Sequence, residues 1–502
     1  MVKPVRHHRP FSTGNPALPL AVLPLLLAAL FLLGGAAPPA PATPPAAPSA
    51  AAAFPHGTIV EKVTAAADPS QTYALYLPSA YDPARRWPIV FLFDARGRAM
   101  VPAERFRAAA ETNGYLLASS YNSASDGPFA PNLKAMQALW SDTHRRFALD
   151  DKRIYAAGFS GTVRSSCTLA LAAPGRIAGV IGAAAGFPEG QPPTAKNPFV
   201  FFGTVGNLDF NFDEMKQLDE TLADLHVAHR IEEFAGPHQW MSPELATLAI
   251  EWMEAQAMKA GTRPLDAALV QKLWRADLDQ ARALEAGGDR LGAWHRYGAI
   301  AEEFSGLLDV APAAAKAAEL GAAKDVKARL RERRQLRDED RLYIAESQRA
   351  LAAADPADGP VNMPRLIADL RIRDLKARAA KDPASDPALA AQRLLNTLSA
   401  QTSFYLPRLY MERKDYRRAE VMYAVAAEVA PQRPEVWYNL AATRSRIGAR
   451  KQALDDLKHA VSLGFKDAKL LAEDADFASL RDDPAFREVL AGLQRQSGAG
   501  NG

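Results

Sequence analysis

The sequence predicts a two-part protein, in which a mostly parallel β-sheet flanked by helices is followed by an all-α region. From Thr58 to about Met258, short apolar runs alternate with longer amphipathic ones, as in α/β units. Beyond Gly261 the strand pattern ends, and Ala, Leu, Arg, Glu and Asp dominate. The length of 502 residues also exceeds that of one ordinary domain, so we expect more than one folding unit.

Composition limits the classes of function. Hydrophobic residues make up 48% of the chain and charged residues 23%, which is typical of a globular protein. The formal net charge of +3 is too small for this length to indicate a nucleic-acid partner. The single cysteine, Cys167, excludes an internal disulfide and a cysteine-rich metal site, and we expect it to be a small buried residue.

The N-terminus has the order of a secretory signal. Three basic residues, Lys3, Arg6 and Arg9, precede an apolar run from Ala17 to Leu33, and an Ala/Pro-rich stretch follows. We therefore expect a periplasmic or secreted protein, with an uncleaved N-terminal membrane anchor as the alternative. The predicted divisions are a signal or anchor (1–35), a linker (36–55), the sheet domain (56–260), a helical region (261–395) and helical repeats (396–495).

Strands and helices alternate through the first domain. The predicted strands are Thr58–Val63, Tyr73–Leu77, Ile89–Phe93, Tyr115–Ser119, Arg153–Ala157, Gly179–Ala184, Phe199–Gly203 and His229–Phe234. The predicted helices are Ala103–Thr112, Leu133–Phe147, Arg164–Ala172 and Phe212–Ala223. Because no helix separates the first two strands, we expect them to form an antiparallel hairpin at the sheet edge.

A repeat with a period of 34 residues marks the C-terminal part. It relates Leu406, Ala419 and Ala426 to Leu440, Ala453 and Ala460. Small alanines on one helix face let a neighbouring helix approach closely. The pattern resembles the tetratricopeptide repeat over residues 400–467, although Pro407, Arg444 and Phe465 depart from it. Stacked repeats of this kind imply a surface for a protein or peptide partner.

The chemistry-bearing motif is Gly158-Phe159-Ser160-Gly161-Thr162, which stands between a predicted strand and a predicted helix. A serine at such a turn presents its hydroxyl at the carboxyl edge of the sheet, as a nucleophile elbow does. Asp209 and His238 follow later strands in the order that would complete a Ser/His/Asp triad. Asp213 is an alternative to Asp209, because it lies only four residues further along.

Each residue of this triad has a predicted role. Ser160 would be the nucleophile, His238 the base that takes its proton, and Asp209 the acceptor that orients the imidazole. The oxyanion formed on the substrate needs preorganised donors. The backbone amide of Gly161 is one by position, and the turn after the third strand supplies the Arg96 amide as the candidate second donor.

These motifs resemble a known family. The runs Tyr73–Pro78 and Trp87-Pro88, the serine elbow and the box Gly236-Pro237-His238-Gln239-Trp240 are similar to those of α/β-hydrolases of the esterase D, feruloyl esterase and polyhydroxybutyrate-depolymerase type. The resemblance covers residues 56–260. It implies hydrolysis of a small or polymeric carboxylic ester through an acyl-serine intermediate, with no metal or organic cofactor.

Two departures from the family pattern bear on activity. Thr162 stands where the pattern has glycine, although positions two before and two after the serine nearly touch in this turn. Asp94 stands where many relatives carry His-Gly, and its charge would oppose an oxyanion unless Arg96 or Arg98 pairs with it. These departures favour the alternative of a catalytically impaired scaffold that acts through its repeats. Peptide cleavage is a third hypothesis, because the same triad supports it.

Overall fold

The computed structural model describes residues 54–499 and contains one eight-stranded sheet within them. Residues 1–53, which carry the predicted signal or anchor and most of the linker, lie outside the described residues. The strands are β1 (Ile59–Thr64), β2 (Thr72–Tyr76), β3 (Trp87–Phe93), β4 (Leu116–Ser120), β5 (Leu149–Phe159), β6 (Gly179–Ala183), β7 (Val200–Gly206) and β8 (His229–Phe234). Their spatial order is β1-β2-β4-β3-β5-β6-β7-β8.

The sheet is parallel except at one edge. β1 pairs with β2 and β2 with β4 in antiparallel fashion, and every later pairing is parallel. The predicted edge hairpin is therefore present. All seven residues of β3 are buried, because helices cover both faces of a parallel sheet.

Helices occupy both faces of the sheet and the whole C-terminal half. In the sheet domain they are α1 (Met100–Asn113), α2 (Ala130–Arg146), α3 (Gly161–Ala172), α4 (Phe212–Asp224) and α5 (Pro243–Lys259). In the helical half they are α6 (Ala267–Ala286), α7 (Arg290–Glu303), α8 (Ala311–Ala322), α9 (Lys324–Ala353), α10 (Met363–Asp369), α11 (Ile372–Lys381), α12 (Asp386–Ala400), α13 (Leu406–Glu412), α14 (Tyr416–Val429), α15 (Pro434–Arg446), α16 (Arg450–Ser462), α17 (Ala468–Glu473) and α18 (Pro484–Ala499). The predicted combination of a mostly parallel, helix-flanked sheet and an all-α region is confirmed.

The two faces of the sheet carry separate cores. Alternate β3 residues face opposite sides, so that Phe91 packs with α2, α3 and α4, whereas Leu92 packs with α1 and α5. Cys167 lies buried in the first of these cores, as expected for a small apolar residue, and burial raises the pKa of its thiol far above the ordinary range. No helix within residues 54–499 has the length and apolar character needed to cross a bilayer.

The 34-residue spacing reappears in the helices of the C-terminal half. α14 begins at Tyr416 and α16 at Arg450, and the four repeat alanines, Ala419, Ala426, Ala453 and Ala460, are fully buried. Arg444 bridges Glu420 and Asp456 by ion pairs where the repeat pattern has an aromatic residue. Packed helix pairs are thus observed, and their assignment to the tetratricopeptide family stays a prediction.

Buried ion pairs join the edge of the sheet to the helical half. Arg230 of β8 binds Asp277 of α6 through two hydrogen bonds of 2.9 and 2.8 Å, and Glu303 of α7 at 3.0 Å. Glu232, also on β8, accepts from Arg230 and from Arg296 of α7, both at 2.7 Å. This network ties an edge strand of the sheet to α6 and α7.

A buried carboxylate between α9 and α12 is incompletely paired. Asp340 of α9 is 2% exposed, and its Oδ2 lies 3.9 Å from Arg393 of α12 and accepts no hydrogen bond from the described residues. Burial and the nearby charge of Asp213 raise its pKa from 3.8 to about 7, against the opposing charges of Arg393 and Arg378, and Glu339 adds to the rise.

We expect Asp340→Asn to stabilise the protein at high pH. Because the folded state binds the Asp340 proton more tightly than the unfolded chain, wild-type stability contributed by this group falls as pH rises from about 4 to about 7. The neutral amide does not titrate, so chemical denaturation should show a variant equal to wild type at pH 4 and more stable by ~1 kcal/mol or more at pH 8. A difference in stability between variant and wild type that is the same at pH 4 and pH 8 would contradict a raised pKa of Asp340.

Candidate active site

Ser160 occupies a strained turn between β5 and α3. Its backbone adopts φ 57° and ψ −130°, a conformation that non-glycine residues rarely adopt. The Ser160 amide donates to Ala183 O at 2.8 Å, which fixes the turn to the end of β6. A Cβ at Gly158 would lie 2.7 Å from the carbonyl carbon of Thr162, so glycine is required where the two arms of the turn meet. The predicted elbow geometry is therefore present.

Thr162 is accommodated through its hydroxyl group. The Oγ1 donates to Phe93 O at 2.6 Å and accepts from the Phe159 amide at 2.9 Å. It therefore links the end of β3 to the end of β5 across the base of the elbow. The residue is completely buried, so these bonds satisfy backbone groups that water cannot reach. The β-branched side chain in place of the expected glycine supports the turn.

Asp209 and His238 meet at the carboxyl edge of the sheet. His238 Nδ1 lies 2.9 Å from Asp209 Oδ1 and 3.0 Å from Oδ2. The carboxylate is fully buried, and its Oδ1 also accepts from the Asn211 amide at 2.8 Å. A carboxylate in this position fixes the orientation of the ring and holds the proton on Nδ1, which leaves Nε2 able to accept a proton.

Two glycines allow the loops that carry these residues to approach each other. A Cβ at Gly206 would lie 2.2 Å from Gly236 O and 2.6 Å from Pro237 O, so no larger residue is tolerated there. Leu208 N donates to Gly236 O at 3.0 Å, and Gly236 N donates to the side chain of Asn207 at 3.0 Å. The Asp209 and His238 loops are thus fastened together by backbone contacts.

Asp213, the alternative partner, lies elsewhere. It stands in the first turn of α4, and its Oδ1 is buried without a hydrogen-bond partner among the described residues. Burial raises the pKa of Asp213, and the charge of Arg393 opposes this rise. Of the two aspartates, only Asp209 contacts His238 in the structure.

His238 lies beside the elbow but is not bonded to the serine. Its ring stacks on Phe210 at a centroid distance of 4.2 Å and lies 4.8 Å from the ring of Phe159, the residue before Ser160. Among residues 54–499 the Ser160 hydroxyl makes no hydrogen bond, and the residue is 8% exposed. Catalytic hydrogen bonds are often loose without substrate, so this arrangement is compatible with a triad that tightens on binding.

The loop after β4 covers the start of α3. A Cβ at Gly161 would lie 2.7 Å from the Cβ of Ser125, so this loop packs directly against the predicted oxyanion donor. Ser125 N donates to Ala95 O at 2.9 Å, and the Ser123 hydroxyl donates to Asp94 O at 2.8 Å. The loops after β3 and β4 therefore form one interlocked surface next to Ser160.

Both oxygens of the buried Asp94 carboxylate accept hydrogen bonds. Its Oδ1 accepts from the Arg96 amide and the Arg98 Nε, both at 2.9 Å, and its Oδ2 accepts from Arg98 Nη2 at 2.9 Å and Trp240 Nε1 at 2.8 Å. Burial alone would raise its pKa, but these donors hold the pKa below its usual value. The Arg96 amide is thus occupied, whereas the Ala95 amide has no partner among the described residues.

Sequence reasoning missed the aromatic residues around the imidazole and the helices behind the Asp209 loop. Phe210 gave no motif signal, because it is an ordinary apolar residue until the fold places it on His238. The sequence also did not indicate that the Trp240 indole donates to Asp94 and so ties it to the His238 loop. The α12 contacts involve residues more than 180 positions away, as in the Asn396 to Leu208 hydrogen bond.

Comparisons with known proteins give matches in structure alone. No protein-family model matches the sequence, and a comparison with curated proteins finds no match. Among solved structures, S-formylglutathione hydrolase from Staphylococcus aureus is 14% identical, with 36% of this chain and 90% of that chain covered and a TM-score of 0.29. The feruloyl esterase module from Clostridium thermocellum is 11% identical, with 41% and 92% covered and a TM-score of 0.32. Esterase LipW from Mycobacterium marinum is 15% identical, with 39% and 81% covered and a TM-score of 0.32.

We expect Thr162→Val to destabilise the fold. Valine has nearly the same shape as threonine but leaves Phe93 O and the Phe159 amide buried without their side-chain partner, which costs about 1–3 kcal/mol. Thr162→Ser, which keeps the hydroxyl, is the matched control and should lose less. Thermal denaturation of both variants measures the difference, and equal stability of Val and Ser variants would rule out the hydroxyl as the stabilising group.

Proposed function

We propose that this protein is a serine hydrolase that cleaves a carboxylic ester through an acyl-serine intermediate. The observation that carries the proposal is the buried Asp209–His238 pair beside a strained elbow that presents Ser160. Ordinary packing does not require a serine with positive φ at this turn, and backbone strain of this kind is characteristic of functional sites.

The chemistry follows from the positions of the three side chains. His238 Nε2 accepts the Ser160 proton as the oxygen attacks the ester carbonyl, and Asp209 stabilises the imidazolium that forms. Collapse of the tetrahedral intermediate breaks the bond to the alcohol, which takes the proton from His238. Water then attacks the acyl-serine with His238 again as base, which releases the acid and restores the Ser160 hydroxyl.

The developing oxyanion needs two donors. The Gly161 amide stands at the first position of α3, where the helix dipole also favours negative charge. We propose the Ala95 amide as the second, because the Arg96 amide would first have to release Asp94. The Asp94 charge is balanced by Arg98, which lowers its opposition to the oxyanion.

The second candidate is a non-catalytic scaffold with a hydrolase fold. The observation that favours it is the absence, within residues 54–499, of a hydrogen bond between Ser160 and His238. In that case the function would lie in the helical half. Its packed helix pairs support a repeat surface that binds a protein or peptide, which we propose as the role of residues 396–495 in either case.

We also propose that the protein is exported to the periplasm or beyond. This rests on the basic and apolar order of residues 3–33. An uncleaved N-terminal segment would instead anchor the protein to the membrane, and mass spectrometry of the N-terminus of the protein from its host distinguishes these two forms.

Turnover of short-chain p-nitrophenyl esters tests the enzymatic proposal. We expect hydrolysis by wild type, and a loss of at least about 10³-fold in kcat for Ser160→Ala, because the acyl intermediate forms on the Ser160 hydroxyl. Fluorophosphonate should label wild type and not the variant. A wild-type protein that is neither labelled nor active would support the non-catalytic scaffold. Cleavage of peptides in place of esters would change the proposed substrate class and leave the acyl-serine mechanism in place.

A further inference from the structure

Helix α12 of the helical half contacts the loop that carries Asp209. The Asn396 side chain donates from Nδ2 to Leu208 O at 2.7 Å, and Arg393 donates from Nη1 to Asn207 O at 3.3 Å. The Arg393 guanidinium also lies 4.3 Å above the ring of Phe212, at the start of α4. Two successive carbonyl groups just before Asp209 are therefore held from outside the sheet domain.

The same two loop residues are held on their other side by the His238 loop. Leu208 uses its amide to donate to Gly236 O at 3.0 Å, and Asn207 uses its side-chain oxygen to accept from Gly236 N at 3.0 Å. The carbonyl groups that face α12 and the groups that face Gly236 thus belong to one short segment. A displacement of this segment would move Asp209 and His238 together.

The Asn396 amide is itself oriented by a neighbour. Gln392 Nε2 donates to Asn396 Oδ1 at 3.1 Å, which directs Nδ2 towards Leu208. Arg393 is held less closely, because Asp340 Oδ2 lies 3.9 Å from its guanidinium and its Nε has no hydrogen-bond partner among the described residues. Asn396 is therefore the donor on α12 whose orientation is fixed by a further contact, as a positioning group requires.

The segment after α12 lies in the same neighbourhood. It is a π-helical turn, Gln401–Tyr405, which leads into Pro407 of α13. Burial, together with the charges of Asp126, Glu214 and Asp209, raises the pKa of Tyr405 to about 12, against the opposing charge of Arg164. The charged groups that act on Tyr405 thus include Asp209 of the triad and Arg164 of α3, the helix that begins next to Ser160.

We infer that the helical half is part of the catalytic unit and that Asn396 is a positioning residue, which holds the Asp209 loop in register with His238 through Leu208. The inference rests on the proposed hydrolase function. It assigns to α12 a role distinct from partner binding, because the contact is directed at the triad loop and not at an external ligand.

The test compares Asn396→Leu with wild type in the full-length chain. Leucine retains the approximate size but cannot donate, so we expect kcat to fall about 10- to 100-fold, as for a misplaced catalytic group, with KM changed less than about twofold. We also expect faster hydrogen exchange of the amides in residues 206–211. If Asn396→Leu fails to fold, Asn396→Ser is the second variant, because its shorter side chain does not extend to Leu208 O and changes the packing less.

Arg337→Gln is the matched control. Arg337 of α9 donates to Glu220 Oε1 of α4 at 2.6 Å and so also joins the helical half to the sheet domain, but in the C-terminal half of α4, away from the Asp209 loop. It should change neither kcat nor exchange in residues 206–211. The inference is overturned if the amides of residues 206–211 exchange hydrogen in Asn396→Leu as slowly as in wild type. It is also overturned if they exchange faster while kcat is unchanged. In both cases the hydrolase proposal stands. An inactive wild type would overturn the proposed function and the catalytic part of this inference together.

Discussion

The conformation of Ser160 is the constraint on which the rest of the site depends. A serine with positive φ persists only where its surroundings hold it, and here the end of β6, the glycine at position 158 and the hydroxyl of Thr162 do so. Thr162 extends this support to the end of β3. The turn is therefore fixed by three adjacent parallel strands, which gives the serine a defined place at the carboxyl edge of the sheet.

Close backbone approach has the same purpose on the other side of the site. Gly206 lets the His238 loop approach the end of β7, so that a buried carboxylate can hold the imidazole at 2.9 Å. Asn396 and Arg393 of α12 then bind the outer side of the Asp209 loop, which is bonded to the His238 loop. The site is thus built from loops that bond to one another. Proton transfer needs an accuracy of position that these bonds between loops supply in addition to the strands.

Buried charge follows one rule in most of the molecule. Asp94 is removed from water, and both of its oxygens accept hydrogen bonds from Arg98 or Trp240. Asp340 and Glu303, which belongs to the Arg230 network, are exceptions: each has one oxygen that accepts no hydrogen bond from the described residues and a pKa raised to about 7. Both α9 and the network at β8 therefore contain a buried carboxyl group that titrates near neutral pH.

The sequence by itself determined the alternation of strands and helices, the edge hairpin, the elbow and the order of Asp209 and His238, because these depend on local periodicity and on turn chemistry. His229–Phe234 was predicted with the bounds that the structure gives, and the Gly236-Pro237 turn signal follows it closely in the sequence. Only the tertiary structure decided between Asp209 and Asp213, showed that Thr162 supports the elbow, and brought Asn396 to Leu208. Those outcomes depend on which groups meet across long stretches of chain, and local pattern carries no information about such distances.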